Sequence, residues 1–126
     1  MYQCTILIVE DEPILRMVLA DTLVGEGFDV VEAANVLEAI AALGQQRVDA
    51  VITDVDMPGG LNGLDLARMI AMTRMNVPTI IASGGHDLRN EDLPGEAVFI
   101  QKPYEMDKVA EMVVSMIKGA PRKIAG

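Results

Sequence analysis

A chain of 126 residues suits a single domain and leaves little room for a second, because domains usually run to about 100–200 residues, which argues against a two-domain enzyme. With 10 Lys plus Arg against 19 Asp plus Glu, the formal net charge of −9 repels polyanions and argues against direct nucleic-acid binding; the one basic cluster is Lys118, Arg122 and Lys123. Half of the residues (51%) are apolar, with no Trp and only two Tyr and two Phe, so the composition is foldable and its core must come from Val, Ile, Leu, Met and Ala.

Strand-like and helix-like segments alternate along the chain. Cys4 to Val9 is short, apolar and β-branched, as a strand covered on both faces should be, and it ends in acid. Pro13 can open a helix at its first turn; Ile14, Met17, Val18, Asp21 and Val24 trace a three-to-four residue spacing, widened by Leu15, Leu19 and Leu23, until Gly25 and Gly27 stop it. Residues 28–31 read as a second strand. Asn35, with Glu38 three residues on, can cap a helix through Leu43 that Gly44 closes. Ala50 to Thr53 is a third strand whose C-terminal end meets Asp54, and Met57 to Gly63 is a turn-rich loop before a helix over 64–72 in which Leu64, Ala67 and Ala71, beside Met69 and Ile70, give an apolar face. Val77 to Ala82 and Ala97 to Ile100 are the fourth and fifth strands. The last helix covers Glu105 to about Ile117, with Met106, Val109, Ala110, Val113 and Ile117 in one stripe and Gly119 as a stop.

Strands alternating with helices in this way imply an α/β fold, a parallel sheet with helices on both faces. Right-handed crossovers place every strand-to-helix loop at one edge of that sheet, where function should be sought. Glu10 and Asp11 follow the first strand, Asp54 the third, Ser83 the fourth and Lys102 the fifth. Any one of these alone is weak evidence, since an acid after a strand is often a cap or turn former. Together they are informative. Three carboxylates crowded within several ångströms raise the proton affinity of at least one unless a cation enters, and a hard divalent ion such as Mg2+ takes oxygen ligands and keeps waters. Two carboxylates and a backbone carbonyl from the loop would suffice; zinc is disfavoured, because His86 is the only histidine. Mg2+ and Lys102 would make a positive pocket inside an acidic protein, suited to phosphate. On a phosphate substrate Asp54 can act as a carboxylate nucleophile, Lys102 can screen the transferring oxygens, and the Ser83 hydroxyl can bind the new phosphoryl group.

These residues make the chain resemble the receiver domain of bacterial two-component response regulators. The matching marks are Ile6 to Glu12, Val51 to Gly59, Ile81 to Gly84 and Lys102-Pro103-Tyr104, spread over residues 5–117 in the expected order. The resemblance implies a doubly wound, five-stranded parallel sheet of flavodoxin-like receiver type that takes a phosphoryl group from a histidine kinase or a histidine phosphotransfer protein. It implies Asp54 as phosphoacceptor; Glu10, Asp11, Asp54 and the Asp56 backbone carbonyl as the Mg2+ site, with Asp11 the direct ligand and Glu10 acting partly through water; Lys102 as the active-site lysine; and Ser83 with Phe99 as the switch pair. Pro103 matches a residue whose preceding peptide is commonly cis. Two departures stand out. The loop from Asp54 to Gly63 is one residue longer than the common pattern because of Gly59-Gly60, and only His86 to Leu93 remains for a fourth helix, predicting one that is short or irregular.

The expected organisation is a receiver domain over residues 1–120 and a short basic tail over 121–126, with no output domain attached. Cys4 cannot form an internal disulfide, no run approaches the roughly 18 apolar residues of a membrane span, and Met1 to Cys4 lacks the charged front of a secretory signal, so a cytoplasmic protein without membrane contact is expected. His86 reads as a surface residue, and most of the nine Met residues read as packing groups, Met17 and Met106 on helix stripes and Met69 and Met112 beside them. The leading function is therefore a phosphoacceptor signalling domain in a two-component phosphorelay, not an enzyme in the usual sense, although self-phosphorylation from small donors and autodephosphorylation fit its chemistry. It would switch contacts with a downstream protein or a phosphorylation-dependent homodimer. Three alternatives stay open: a receiver cut from a longer regulator or hybrid kinase, a phosphorylation-independent binding module, and a small aspartyl-phosphate phosphohydrolase.

Overall fold

The computed structural model describes residues 3–73, 76–85, 88 and 93–118. Its elements run β1 (Thr5–Val9), α1 (Pro13–Gly25), β2 (Asp29–Ala33), α2 (Val36–Gln45), β3 (Ala50–Asp54), α3 (Gly63–Thr73), β4 (Thr79–Ser83), β5 (Ala97–Gln101) and α4 (Met106–Lys118). The strands form one parallel sheet in the order β2-β1-β3-β4-β5. The expected doubly wound sheet is therefore present. The short fourth helix expected over 86–93 and the basic tail over 121–126 lie outside the described residues, save that Leu88 and Leu93 pack beside Val55, Ala67 and Ile81.

Successive side chains of a strand point to opposite faces, so β1 is buried twice over. Ile6 and Ile8 join Ile52, Ile80, Leu19, Leu23, Val109 and Val113 on the side covered by α1 and α4. Leu7 and Val9 join Val51, Val36, Leu43, Leu66 and Ile70 on the side covered by α2 and α3. Each fully buried aliphatic side chain contributes about 1.5–3 kcal/mol, which makes the apolar core of β1 and β3 the fixed frame of the molecule. Among the described residues no helix is long and apolar enough to cross a membrane.

Local signals position the helices. Pro13 opens α1, and the Asn35 side chain caps α2 by accepting from the Glu38 N–H at 2.9 Å while Glu38 Oε1 accepts from the Ala34 N–H at 2.7 Å. Gly44 does not end α2, which runs through it to Gln45. The face of α1 is the larger correction. Leu19, Ala20 and Leu23 are buried, whereas Ile14 (69% exposed), Met17 (51%), Val18 and Val24 face outward. The spacing through Ile14 and Val24 carries Asp21, whose charge belongs in water, while Leu15, Leu19 and Leu23 repeat every four residues and meet the sheet. Met17 and Met69 are thus exposed, and Met106 and Met112 pack against the core as expected.

The order of strands matters for function. From β1 the chain crosses one way to β2 and then back past β1 to β3, so the connections leaving β1 and β3 diverge and open a crevice at their C-terminal ends. Val9 pairs with Thr53, so the next residues, Glu10 and Asp54, stand side by side at that crevice.

Candidate functional site

Five sequence-predicted groups meet at this edge. One carboxylate oxygen from each of Glu10, Asp11 and Asp54 lies within 4.8 Å of the others. Lys102 reaches in from the end of β5, its Nζ 3.1 Å from Glu10 Oε1 and 3.3 Å from Asp54 Oδ2. Ser83, the last residue of β4, is fully buried, and its carbonyl accepts from the Lys102 N–H at 2.9 Å, which ties the two strand ends together. Glu10 and Asp54 are buried and Asp11 is exposed, so the cluster has a dry floor and an open mouth.

The charges reflect that setting. Burial pushes the Asp54 carboxyl above its ordinary 3.8; attraction and hydrogen bonding from Lys102 and a bond from the Val55 backbone resist without cancelling it, and Asp11 adds to the rise. Glu10 is likewise raised above 4.5 by burial first, against bonds from the Glu12 N–H and Lys102, with Asp54 adding to the rise. For Lys102 burial alone would lower the ammonium, yet Glu10 and Asp54 together hold it above the usual lysine value. One cation shared by two buried carboxylates does not neutralise them, and the site retains an appetite for positive charge. All three side chains of the cluster offer oxygen, the donor set of a hard divalent cation.

The remaining predicted residues are placed as follows. Asp56 is exposed in the β3–α3 loop, and a β-carbon at Gly85 would stand 3.6 Å from its Oδ2. Phe99 is half-buried in β5 opposite Ile81. The Lys102-Pro103 peptide is cis. Gly59 and Gly60, the pair that makes the loop one residue longer, both have positive φ (103° and 88°), a conformation that glycine adopts without strain. His86 lies outside the described residues.

Four further residues shape the site beyond those given a role from the sequence. The Thr53 hydroxyl, fully buried, donates to the Asp54 carbonyl at 3.0 Å. Gly63 presses its Cα against that carbonyl, and its N–H donates to the Val55 carbonyl at 2.9 Å. Arg16 Nη1 donates to the Glu10 carbonyl at 2.7 Å. Tyr104, beside Lys102, has its phenol pushed up to about 12, by burial first and then by Glu10. With Glu12, Leu15, Gly84, Lys102 and Pro103 it lines a cavity of about 370 Å3 next to the cluster. Of the four, Tyr104 and Thr53 fall inside the matching marks and Gly63 ends the turn-rich loop, without a role assigned to them, and Arg16 shows only as a cation one turn into the helix that follows the acids.

Comparison with known proteins agrees with this geometry. Residues 6–114 match the family model described as the response regulator receiver domain. A putative response regulator, NtrX-like, of Rickettsia felis is 34% identical over 113 residues, covering 86% of this chain and 24% of the relative. The chain thus spans about a quarter of the length of that relative. Sporulation initiation phosphotransferase F of Bacillus subtilis is 30% identical, covering 86% of this chain and 89% of its own. The response regulator TrrA of Thermotoga maritima in complex with Mg(2+)-BeF superposes with a TM-score of 0.79 at 28% identity, covering 90% and 99% of the two chains. The receiver domain from the hybrid histidine kinase CckA does so with a TM-score of 0.73 at 32% identity, covering 90% and 98%.

Proposed function

The chain belongs to the response regulator receiver domain family, and from that membership we propose that Asp54 is its phosphoacceptor and that the phosphoryl group comes from a histidine kinase or a histidine phosphotransfer protein. The observation that carries this reading is the meeting of Glu10, Asp11, Asp54 and Lys102 at the crevice between β1 and β3. In the transfer, an Asp54 carboxylate oxygen forms a bond to phosphorus as the donor's P–N bond breaks; the imidazole keeps the electron pair and takes a proton. Lys102, already paired with Asp54, stays close to the new charge and holds a phosphoryl oxygen. The Ser83 hydroxyl binds the product group, and Phe99 repacks with it.

The cation assigned to this site is Mg2+, which the acid cluster suits and which the TrrA complex contains. The Asp11 and Asp54 carboxylates and the Asp56 carbonyl would hold it, with Glu10 reached through water, and when bound it supplies charge neutralisation for the transferring oxygens. The apolar residues Ile14, Met17 and Val18, on the first turns of α1 after Asp11, together with the cavity walled by Leu15, Pro103 and Tyr104, support a protein donor. Phosphorylation would then alter contacts with a downstream protein or a second copy, in a cytoplasmic setting.

The test is Mg2+-dependent labelling with acetyl phosphate, followed by intact-mass and peptide mapping. A single adduct at Asp54, absent without Mg2+ and absent from Asp54→Asn, is the expected result. Label taken up by Asp54→Asn at the wild-type rate and position would refute it.

A further inference from the structure

Arg16 carries no reacting group, yet its guanidinium holds the peptide that leads into Asp11. Its Nη1 donates to the Glu10 carbonyl at 2.7 Å, while its backbone N–H makes the first helical bond of α1, to the Glu12 carbonyl at 3.0 Å, which does not depend on the side chain. Between them the Glu12 N–H donates to Glu10 Oε2 at 3.1 Å, which closes the Glu10-Asp11-Glu12 loop on itself. The Arg16 side chain turns back toward the start of α1, as long side chains on helices do, and its Nε donates to Glu32 Oε1 on β2 at 3.2 Å. One planar guanidinium therefore spans the ends of β1 and β2.

Asp11 is exposed, so neighbouring side chains do little to hold its carboxylate. Its direction follows from the peptide planes before and after it. An exposed carboxylate on a loose loop would have to be ordered when the cation binds, whereas one on a pinned loop is ordered beforehand. We infer that Arg16 is a positioning residue of the cation site, its guanidinium fixing through the Glu10 carbonyl the direction in which Asp11 meets Asp54. The inference rests on the reading of Glu10, Asp11 and Asp54 as the surroundings of Mg2+. A mere tie between β1 and β2 would act through Glu32 instead, and that difference can be measured.

Mg2+ titrations of the whole chain, read by calorimetry and by amide chemical shifts that also report folding, separate the two. Arg16→Met should bind Mg2+ about tenfold more weakly than wild type, in line with the loss of a group that orients a metal ligand. Glu32→Gln, which keeps the bond to the Glu10 carbonyl, should change the affinity by less than about twofold, because half-exposed ion pairs contribute little. If Arg16→Met does not fold, Arg16→Lys carries the same test with a loss of about threefold, its single ammonium being unable to span both partners. Wild-type affinity in a folded Arg16 variant, or an equal loss in Glu32→Gln, overturns the inference. Absence of Mg2+ binding in wild type overturns the cation reading beneath it, a failure visible before any variant is compared.

Discussion

Lys102 Nζ stands 3.3 Å from Asp54 Oδ2, and the same ammonium lies 3.1 Å from Glu10 Oε1, so a single cation is divided between two buried carboxylates from two other strands. Replacing Lys102 by Met leaves both acids without their counter-charge in a place where neither can be well hydrated. We expect Lys102→Met to lower stability by about 1–3 kcal/mol at neutral pH, less than the full cost of orphaning a deeply buried pair because Lys102 is partly solvated. Acetyl phosphate labelling of Asp54 should slow by about 10–100-fold, the ammonium being aimed at the developing charge. Denaturant unfolding and a labelling time course measure the two effects. An unchanged labelling rate would remove Lys102 from its assigned role.

Stability should depend on pH through the same carboxylates, with a sign opposite to that of an ordinary salt-bridged acid. Asp54 and Glu10 hold protons more tightly in the folded chain than their ordinary 3.8 and 4.5. Their protonation therefore stabilises the fold fully below those values, and that contribution is lost as pH rises through the raised folded values. Asp54→Asn removes one of the two charges. It should melt roughly 3–6 °C above wild type at neutral pH, and the gap should close as the pH falls toward 3.8. Mg2+ should narrow the neutral-pH gap by stabilising wild type alone. Melting curves over pH, with and without Mg2+, check this; a gap independent of pH would contradict it.

What the sequence disclosed about the site was its chemistry at the strand ends. Glu10, Asp11, Asp54, Ser83 and Lys102 each follow an apolar run, and parallel topology obliges such positions to share an edge. What it concealed were contacts made by backbone. Nothing in the pattern around Arg16 says that its guanidinium ends on a carbonyl, and nothing around Thr53 distinguishes a strand threonine that packs from one that bonds to Asp54. The face of α1 was misread for a related reason: both sides of that helix are apolar, and the periodicity cannot say which side meets the sheet. Asp21 held the answer, since a carboxylate on that side is stable in water and costly under the sheet. Gly44 missed the end of the helix by a single residue, since α2 closes at Gln45 after its last buried residue, Leu43.

Gly63 provides a purely steric test. It opens α3 immediately against Asp54, where a β-carbon would overlap the Asp54 carbonyl and stand 3.1 Å from Thr53 Oγ1. The Asp54 carbonyl is backbone of a buried strand and cannot yield as a flexible side chain would. Gly63→Ala should therefore cost about 2–4 kcal/mol, at the upper end for so small a change. Gly44→Ala, with open space around its Cα, should be neutral or stabilising by about 0.5–1 kcal/mol. Comparing the two by urea unfolding isolates the contact from the general effect of replacing glycine; similar values for both would refute the close approach.

If a donor protein rests on the outward face of α1, as proposed, that face should separate two kinds of phosphodonor. Ile14, Met17 and Val18 are exposed and none belongs to the acid cluster, so charged substitutions there should move stability by no more than about 0.5 kcal/mol. Acetyl phosphate reaches Asp54 as a small molecule and needs no surface on α1. A donor protein must bring its phosphohistidine over the same crevice, and it must rest on whatever lies beside it. Met17→Lys with Val18→Glu should therefore slow transfer from a phosphorylated histidine phosphotransfer domain by about tenfold or more, while acetyl phosphate labelling stays within about twofold of wild type. Loss in both assays would mean that the substitutions disturbed Asp54 itself. Loss in neither would place the docking surface elsewhere, because an apolar patch that a partner uses cannot accept two charges without consequence for the encounter.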